Sequence, residues 1–182
     1  MTTSPPPDDA REAIGGERTS TRWRLDPASS TAKFSVPHFW GVIRVKGHFD
    51  RLDGWLETDA SGRQRLELTI DAASLGTGNR QRDRHLRSAD FFDTQHHPDV
   101  RFESTSVSDA GNGRLHVEGE LVAAGNRVTL TLEPTVTRTG DRLQIDASAA
   151  IDQRELGMTW SPLGMAGTPT GVTVHAELRR ER

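Results

Sequence analysis

Cysteine and tyrosine are both absent from this chain of 182 residues. The first absence excludes disulfides, a thiolate nucleophile and any zinc site built on sulfur. With no tyrosine and four tryptophans, the chain lacks the basic–aromatic interleaving on which single-strand nucleic-acid binders stack bases. A formal net charge of −3 provides no global attraction to nucleic acid or to an anionic membrane. No stretch approaches the ~20 apolar residues of a membrane-spanning helix. The opening MTTSPPPDDAREAIGGERTST has no apolar run of signal-peptide length, so a cytoplasmic protein is expected.

Catalytic signatures are missing too. The seven histidines show neither His-x-His nor His-Glu-x-x-His spacing, and no nucleophile elbow occurs. Gly76-x-Gly78 is too short for a phosphate-binding loop. The residues therefore nominate no catalytic group, no metal ligand and no cofactor.

What is present is alternation. Only 33% of the chain is hydrophobic and 27% is charged, which suits sheets with one face in and one face out. In TAKFSVPHF, Ala32, Phe34 and Val36 share a face, while Lys33 and Ser35 share the other. Ile43, Val45 and Phe49 alternate with Arg44, Lys46 and His48, and Gly47 marks a place where strands crowd. The same rhythm runs through RLELTID, VRFESTSV, RLHVEGELV, NRVTLTLEPTVT, RLQIDASAAID and GVTVHAELRR. Turn formers separate them: Asp53-Gly54, Ser61-Gly62, Gly111-Asn112-Gly113, Gly125-Asn126 and Gly140-Asp141. Short turns imply antiparallel neighbours. About eight such strands form either a sandwich or a closed barrel, and periodicity alone leaves both open.

Two segments depart from the rhythm. Pro5-Pro6-Pro7 and Gly15-Gly16 lie in a polar setting, so residues 1–20 read as a flexible tail and 21–182 as the domain. Residues 74–97 carry Arg82, Leu86 and Ala89 at helical spacing, with Asp83 and Arg87 at i, i+4. Pro98 ends this run, which predicts a short helical insertion across one end of the sheet.

The sequence resembles the YceI-like family of lipocalin-like, polyisoprenoid-binding proteins. The likeness rests on Trp23-x-Leu25-Asp26-Pro27-Ala28-Ser29-Ser30, on Phe34 to His38, and on Val45-Lys46-Gly47-His48-Phe49. It continues through Ile70 to Asn79, Arg82 to Asp93, and Ile151 to Trp160. Pro37, the bulky Phe39-Trp40 pair and the Glu120–Arg127 run depart from the family's usual pattern.

The resemblance implies an all-β fold: an eight-stranded antiparallel lipocalin-like barrel, with the helical insertion near residues 74–97. It also implies an apolar small-molecule partner held inside, a prenyl chain with or without a diphosphate, for carriage, storage or sequestration. Phe34, Val36, Phe39, Ile43, Val45, Phe91, Phe92, Phe102, Met158 and Trp160 are the candidate lining, although such residues also serve as plain core. His38, Arg82, His85 and Arg87 are the candidates for a polar head group, because guanidinium offers forked donors to phosphate. The run of charge also fits a solvated helix face. A homodimer is compatible with the pattern. A barrel enzyme acting on a hydrophobic intermediate and a ligand-free interaction domain are the alternatives.

Overall fold

The computed structural model describes residues 20–38, 43–158 and 169–181, without the side chains of Pro37, His38 and Ile43. Twelve strands form one antiparallel sheet: β1 (Thr21–Leu25), β2 (Thr31–His38), β3 (Ile43–Phe49), β4 (Leu52–Thr58), β5 (Gln64–Asp71), β6 (Leu75–Gly76), β7 (Asp99–Gly111), β8 (Arg114–Ala123), β9 (Asn126–Leu132), β10 (Thr135–Thr139), β11 (Arg142–Ile151) and β12 (Thr170–Arg180). They occupy eight wall positions, because β1 continues into β2, β3 into β4, β5 into β6 and β9 into β10. Each position pairs with its chain neighbours, and β12 closes the circuit by pairing with both β1 and β2. The result is the expected up-and-down barrel.

The breaks within long strands have local causes. At the β1/β2 break the Asp26 carboxylate accepts from the Ala28 N–H at 3.1 Å, and Arg179 approaches that carboxylate at 2.8 Å. The Asp26 N–H still donates to Glu177 O at 2.7 Å, which keeps the bent strand on the wall. At the β3/β4 break the buried Ser74 hydroxyl accepts from the N–H groups of Asp50 and Arg51, at 3.1 and 3.2 Å. Pro134 follows β9 and has no N–H to give to a ladder. Among the described residues β9 pairs with β8 alone, so β9 and the last half of β11 run side by side without a ladder.

Closure is staggered. Stepping across paired residues from Arg142 through Arg179, Arg24, Trp55, Glu67, Glu103 and Glu120 leads to Thr129. Arg142 itself pairs with Thr139, ten residues further along that wall position. Stagger, tilt and diameter are coupled in a closed sheet. Eight strands with a stagger of about eight give the side-chain-filled interior of a (β/α)8 barrel. The larger stagger here widens the cylinder.

One turn expectation is corrected. Asp53-Gly54 lies inside β4, not at a turn. A Cβ on Gly54 would stand 2.6 Å from the Glu67 carbonyl oxygen, so glycine serves the close approach of β4 to β5.

The insertion forms a single short helix, α1 (Arg80–Leu86). Asn79 caps it, its side-chain oxygen accepting from the N–H groups of Gln81 and Arg82 at 3.0 and 3.1 Å. Ala89, expected on the same helix, lies in the turns that follow. The connection from α1 to β7 lies over the barrel end, with Phe92 edge-on to Phe49 at 5.8 Å. Towards the opposite end Trp23, Leu56, Leu143 and Leu178 are buried, and the Arg138 guanidinium sits 5.3 Å over the Trp23 ring.

Candidate functional site

The barrel is not packed solid. A cavity of about 350 Å³ occupies its interior and is lined almost wholly by hydrocarbon. The wall alternates as the sequence did, so every second residue of β11 (Ile145, Ala147, Ala149, Ile151) and of β12 (Val172, Val174, Ala176, Leu178) faces it. The polar residues among the lining are Glu67, Arg82, His85, Ser148, Gln153 and Thr170.

Of the apolar residues singled out in the sequence, Phe34, Val36, Val45 and Phe102 line the cavity from the strands. Phe91 and Phe92 line it from the cap, and Met158 from the segment after β11. Phe39, Trp160 and the Ile43 and His38 side chains lie outside the described residues. The rings meet in two groups. Phe34 and Phe49 stand 5.4 Å apart, Phe92 meets Phe49 edge-on, and Phe91 meets the His85 ring edge-on at 5.2 Å.

Glycines make room for two of these rings. A Cβ at Gly47 would stand 2.2 Å from Phe34 Cζ, and one at Gly119 would stand 2.4 Å from Phe102 Cζ. Each ring therefore lies flat across a strand where no side chain exists. Crowding at Gly47 is an aromatic contact.

The cationic candidates Arg82 and His85 of α1 and Arg87, which caps its C-terminus, divide into two roles. Arg82 and His85 reach the cavity. Arg82 donates from Nε to Thr77 Oγ1 at 2.8 Å and from Nη2 to Thr77 O at 3.0 Å. His85 Nε2 lies 3.0 Å from Asp90 Oδ2. Arg87 does not line the cavity; it donates to the carbonyl oxygens of Ala73 at 2.9 Å and Leu75 at 2.5 Å. The Asp83–Arg87 spacing does not make the side-chain pair it suggested. Asp83 instead accepts from the Thr77 N–H at 2.9 Å and from its hydroxyl. These bonds tie α1 to the wall.

The segment after β11 supplies the other side of this end. Asp152 receives the Arg154 guanidinium as a fork, at 2.9 Å from Nε and 2.5 Å from Nη2. The Arg154 side-chain bond, with the Arg154 backbone N–H adding to it, holds the Asp152 carboxyl down at about 2. Gly157 has φ of 73°, a left-handed conformation suited to glycine. The Asn126 amide donates to Leu156 O at 3.0 Å, fixing the segment to the β8/β9 turn. Gln153, Leu156 and Met158 consequently face the cavity.

Sequence reasoning passed over Gln153 and Thr170. Thr170 precedes Val172 and Val174 at the lumen-facing spacing, so extending the alternation by one step finds it. Gln153 sits in a turn, where no periodicity points to the cavity. Among the described residues no cluster of three or more His, Asp or Glu is arranged to hold a metal ion, and no helix is long and apolar enough to cross a membrane.

A closed eight-stranded barrel with a capped end and an apolar internal cavity defines a lipocalin-like architecture. The particular family is fixed by sequence: residues 23–179 match the YceI-like domain, and the chain belongs to that family. A UPF0312 protein of Vibrio cholerae is 36% identical over 100 residues, 54% of this chain and 52% of the relative. The match thus spans about half the length of that relative. BcnA of Burkholderia cenocepacia superposes with a TM-score of 0.75 at 21% identity, covering 84% of this chain and 98% of BcnA. A polyisoprenoid-binding domain from Saccharophagus degradans, implicated in plant cell wall breakdown, superposes with a TM-score of 0.71 at 17% identity, covering 87% and 98%.

Proposed function

We propose that this protein binds one long apolar molecule of isoprenoid type inside the barrel and carries or sequesters it. The observation that carries the reading is the apolar interior space of about 350 Å³. Ligand cavities typically run from about 300 to 1,000 Å³. At ~24 cal/mol per Å³ of unfilled core, a void of about 350 Å³ forgoes on the order of 8 kcal/mol. That is comparable with the whole stability of a small domain, roughly 5–15 kcal/mol. A branched hydrocarbon chain restores the missing contacts, and its affinity comes from that deficit. The polyisoprenoid-binding designation of the Saccharophagus degradans domain supports the same class of guest.

The geometry also orients the guest. The end beneath α1 carries Arg82 and His85 from the cap, with Gln153 and Thr170 opposite, whereas the other end is closed by Trp23 and its leucine neighbours. A chain with one polar end is held with that end under the cap and its tail towards Trp23. Arg87 acts as a strut for the cap, since two of its donors already meet carbonyl oxygens.

Native mass spectrometry after incubation with prenols of graded length tests this reading. One molecule per chain, with affinity rising with length until the cavity is full, is the expected result. Absence of any adduct at every length would overturn it.

A further inference from the structure

We infer that Leu25, Leu56 and Leu178 are specificity-determining residues: they form a fixed floor against which the tail of the guest stops, so the barrel selects prenyl chains by length. This rests on the proposed binding reading and adds what limits the guest in that same cavity.

The cavity ends on several strands together. On β1 Leu25 faces it, whereas Trp23, two residues away on the same side of the strand, does not. On β11 Ile145 faces it and Leu143 does not. Pro134, just before β10, faces it and Val136 does not. Strand register draws these positions into one layer. Leu178 pairs with Leu25 on one side and with Leu143 on the other, and Leu56 pairs with Trp23. Among the described residues, Leu25, Leu56 and Leu178 are thus the last a guest can touch at this end. Trp23 and Leu143 stand behind them.

The two ends of the barrel differ in how far they yield. The three floor leucines, Trp23 and Leu143 are all buried in one core cluster, and the Arg138 guanidinium lies over the Trp23 ring. A methyl group pressed into such packing forces side chains off their rotamers, which costs more than the new contacts return. Each floor leucine also belongs to a strand paired on both sides. At the other end α1 buries none of its residues, and elements with few buried contacts open first. Length beyond the floor is therefore turned back towards the cap, where it buries little. Affinity rises with each isoprene unit that adds apolar burial and stops rising once the tail meets the leucines.

Calorimetric titration with all-trans prenols, from geraniol through farnesol and geranylgeraniol to longer members, tests this on the wild type and three variants. The Leu25→Ala, Leu178→Ala double variant removes six carbons from the floor, room for one five-carbon unit. The length at which affinity stops rising should therefore move up by one isoprene unit. Leu178→Phe adds three carbons and should move that length down; it decides the matter alone if the double variant does not fold. The Leu121→Ala, Leu130→Ala double variant removes the same six carbons from the β8 and β9 wall, in the cluster around Phe102, and should leave the length where it is. An unmoved limit in the folded floor variants would overturn the inference. So would an equal shift in the wall variant, which would show that total volume, not depth, sets the length. If no prenol binds the wild type, the binding reading fails and takes this inference with it; binding with an unmoved limit leaves that reading standing.

Discussion

Gly47 offers the sharpest test of how the lumen is built. The Phe34 ring lies across it, with Cζ, Cε1 and Cε2 at 2.2, 2.6 and 2.9 Å from where a Cβ would stand. Gly47→Ala must therefore drive the ring off the strand and into the cavity, against Phe49 at 5.4 Å. Overfilling of this kind costs roughly 1–3 kcal/mol, offset by about 0.5–1 kcal/mol from replacing a strand glycine. A net loss of about 1–2 kcal/mol is expected, or some 2–8 °C in melting temperature for a domain of this size. The displaced ring also occupies space a guest needs, so affinity for a long prenol should fall in the same variant.

Gly171→Ala is the control. A Cβ there meets only Ser35 O, at 3.8 Å, and stability should change by no more than about 0.5 kcal/mol. Urea titrations of Gly47→Ala, Phe34→Leu and the double variant complete the test, since residues in contact couple by roughly 0.5–3 kcal/mol. The smaller side chain should absorb most of the Gly47→Ala loss. A Gly47→Ala protein as stable as wild type, or strictly additive losses in the double variant, would refute this account of the packing.

Other consequences follow from the same geometry. Gly119→Ala should cost more than Gly47→Ala, because its Cβ meets the Glu103 carbonyl oxygen at 2.6 Å as well as the Phe102 ring, and backbone yields less than a ring; denaturation midpoints rank the two. Arg87→Ala should lower stability by about 1.5–3 kcal/mol, the value of hydrogen bonds from a charged donor, yet leave the ratio of affinities for a prenyl diphosphate and its alcohol unchanged in paired titrations. The Asp152 carboxyl, held at about 2 by Arg154, should titrate there by NMR and return towards ~3.9 in Arg154→Gln. Because the folded value lies below the unfolded one, this contribution is complete above about pH 4 and is lost as pH falls towards 2. Met158 resonances, which report the cavity side of that segment, should shift over the same interval.

The strands were legible because burial on one face leaves an alternating pattern, and β2, β3, β11 and β12 carry it plainly. Closure was not legible from the pattern. It depends on β12 meeting β1 and β2 across more than 130 residues of chain, and no local rule encodes such a pairing. The rings that line the cavity were visible as aromatics on inward positions, but open space beside them was not. An inward Phe reads the same in a filled barrel. Gly54 misled because glycine marks turns and close backbone approaches alike. Arg87 looked like a phosphate donor because its acceptors, the Ala73 and Leu75 carbonyls, belong to the backbone and leave no trace in residue type.

The central claim is that the guest lies inside the wall. Intermolecular NOEs from the methyl groups of a bound prenol measure this directly. Cross-peaks to the ring protons of Phe34, Phe49 and Phe102 are predicted, with any polar end of the guest nearest the cap residues Arg82 and His85. Tight binding that gives contacts only to outward-facing residues such as Val122 and Thr173, with those three rings silent, would contradict the account.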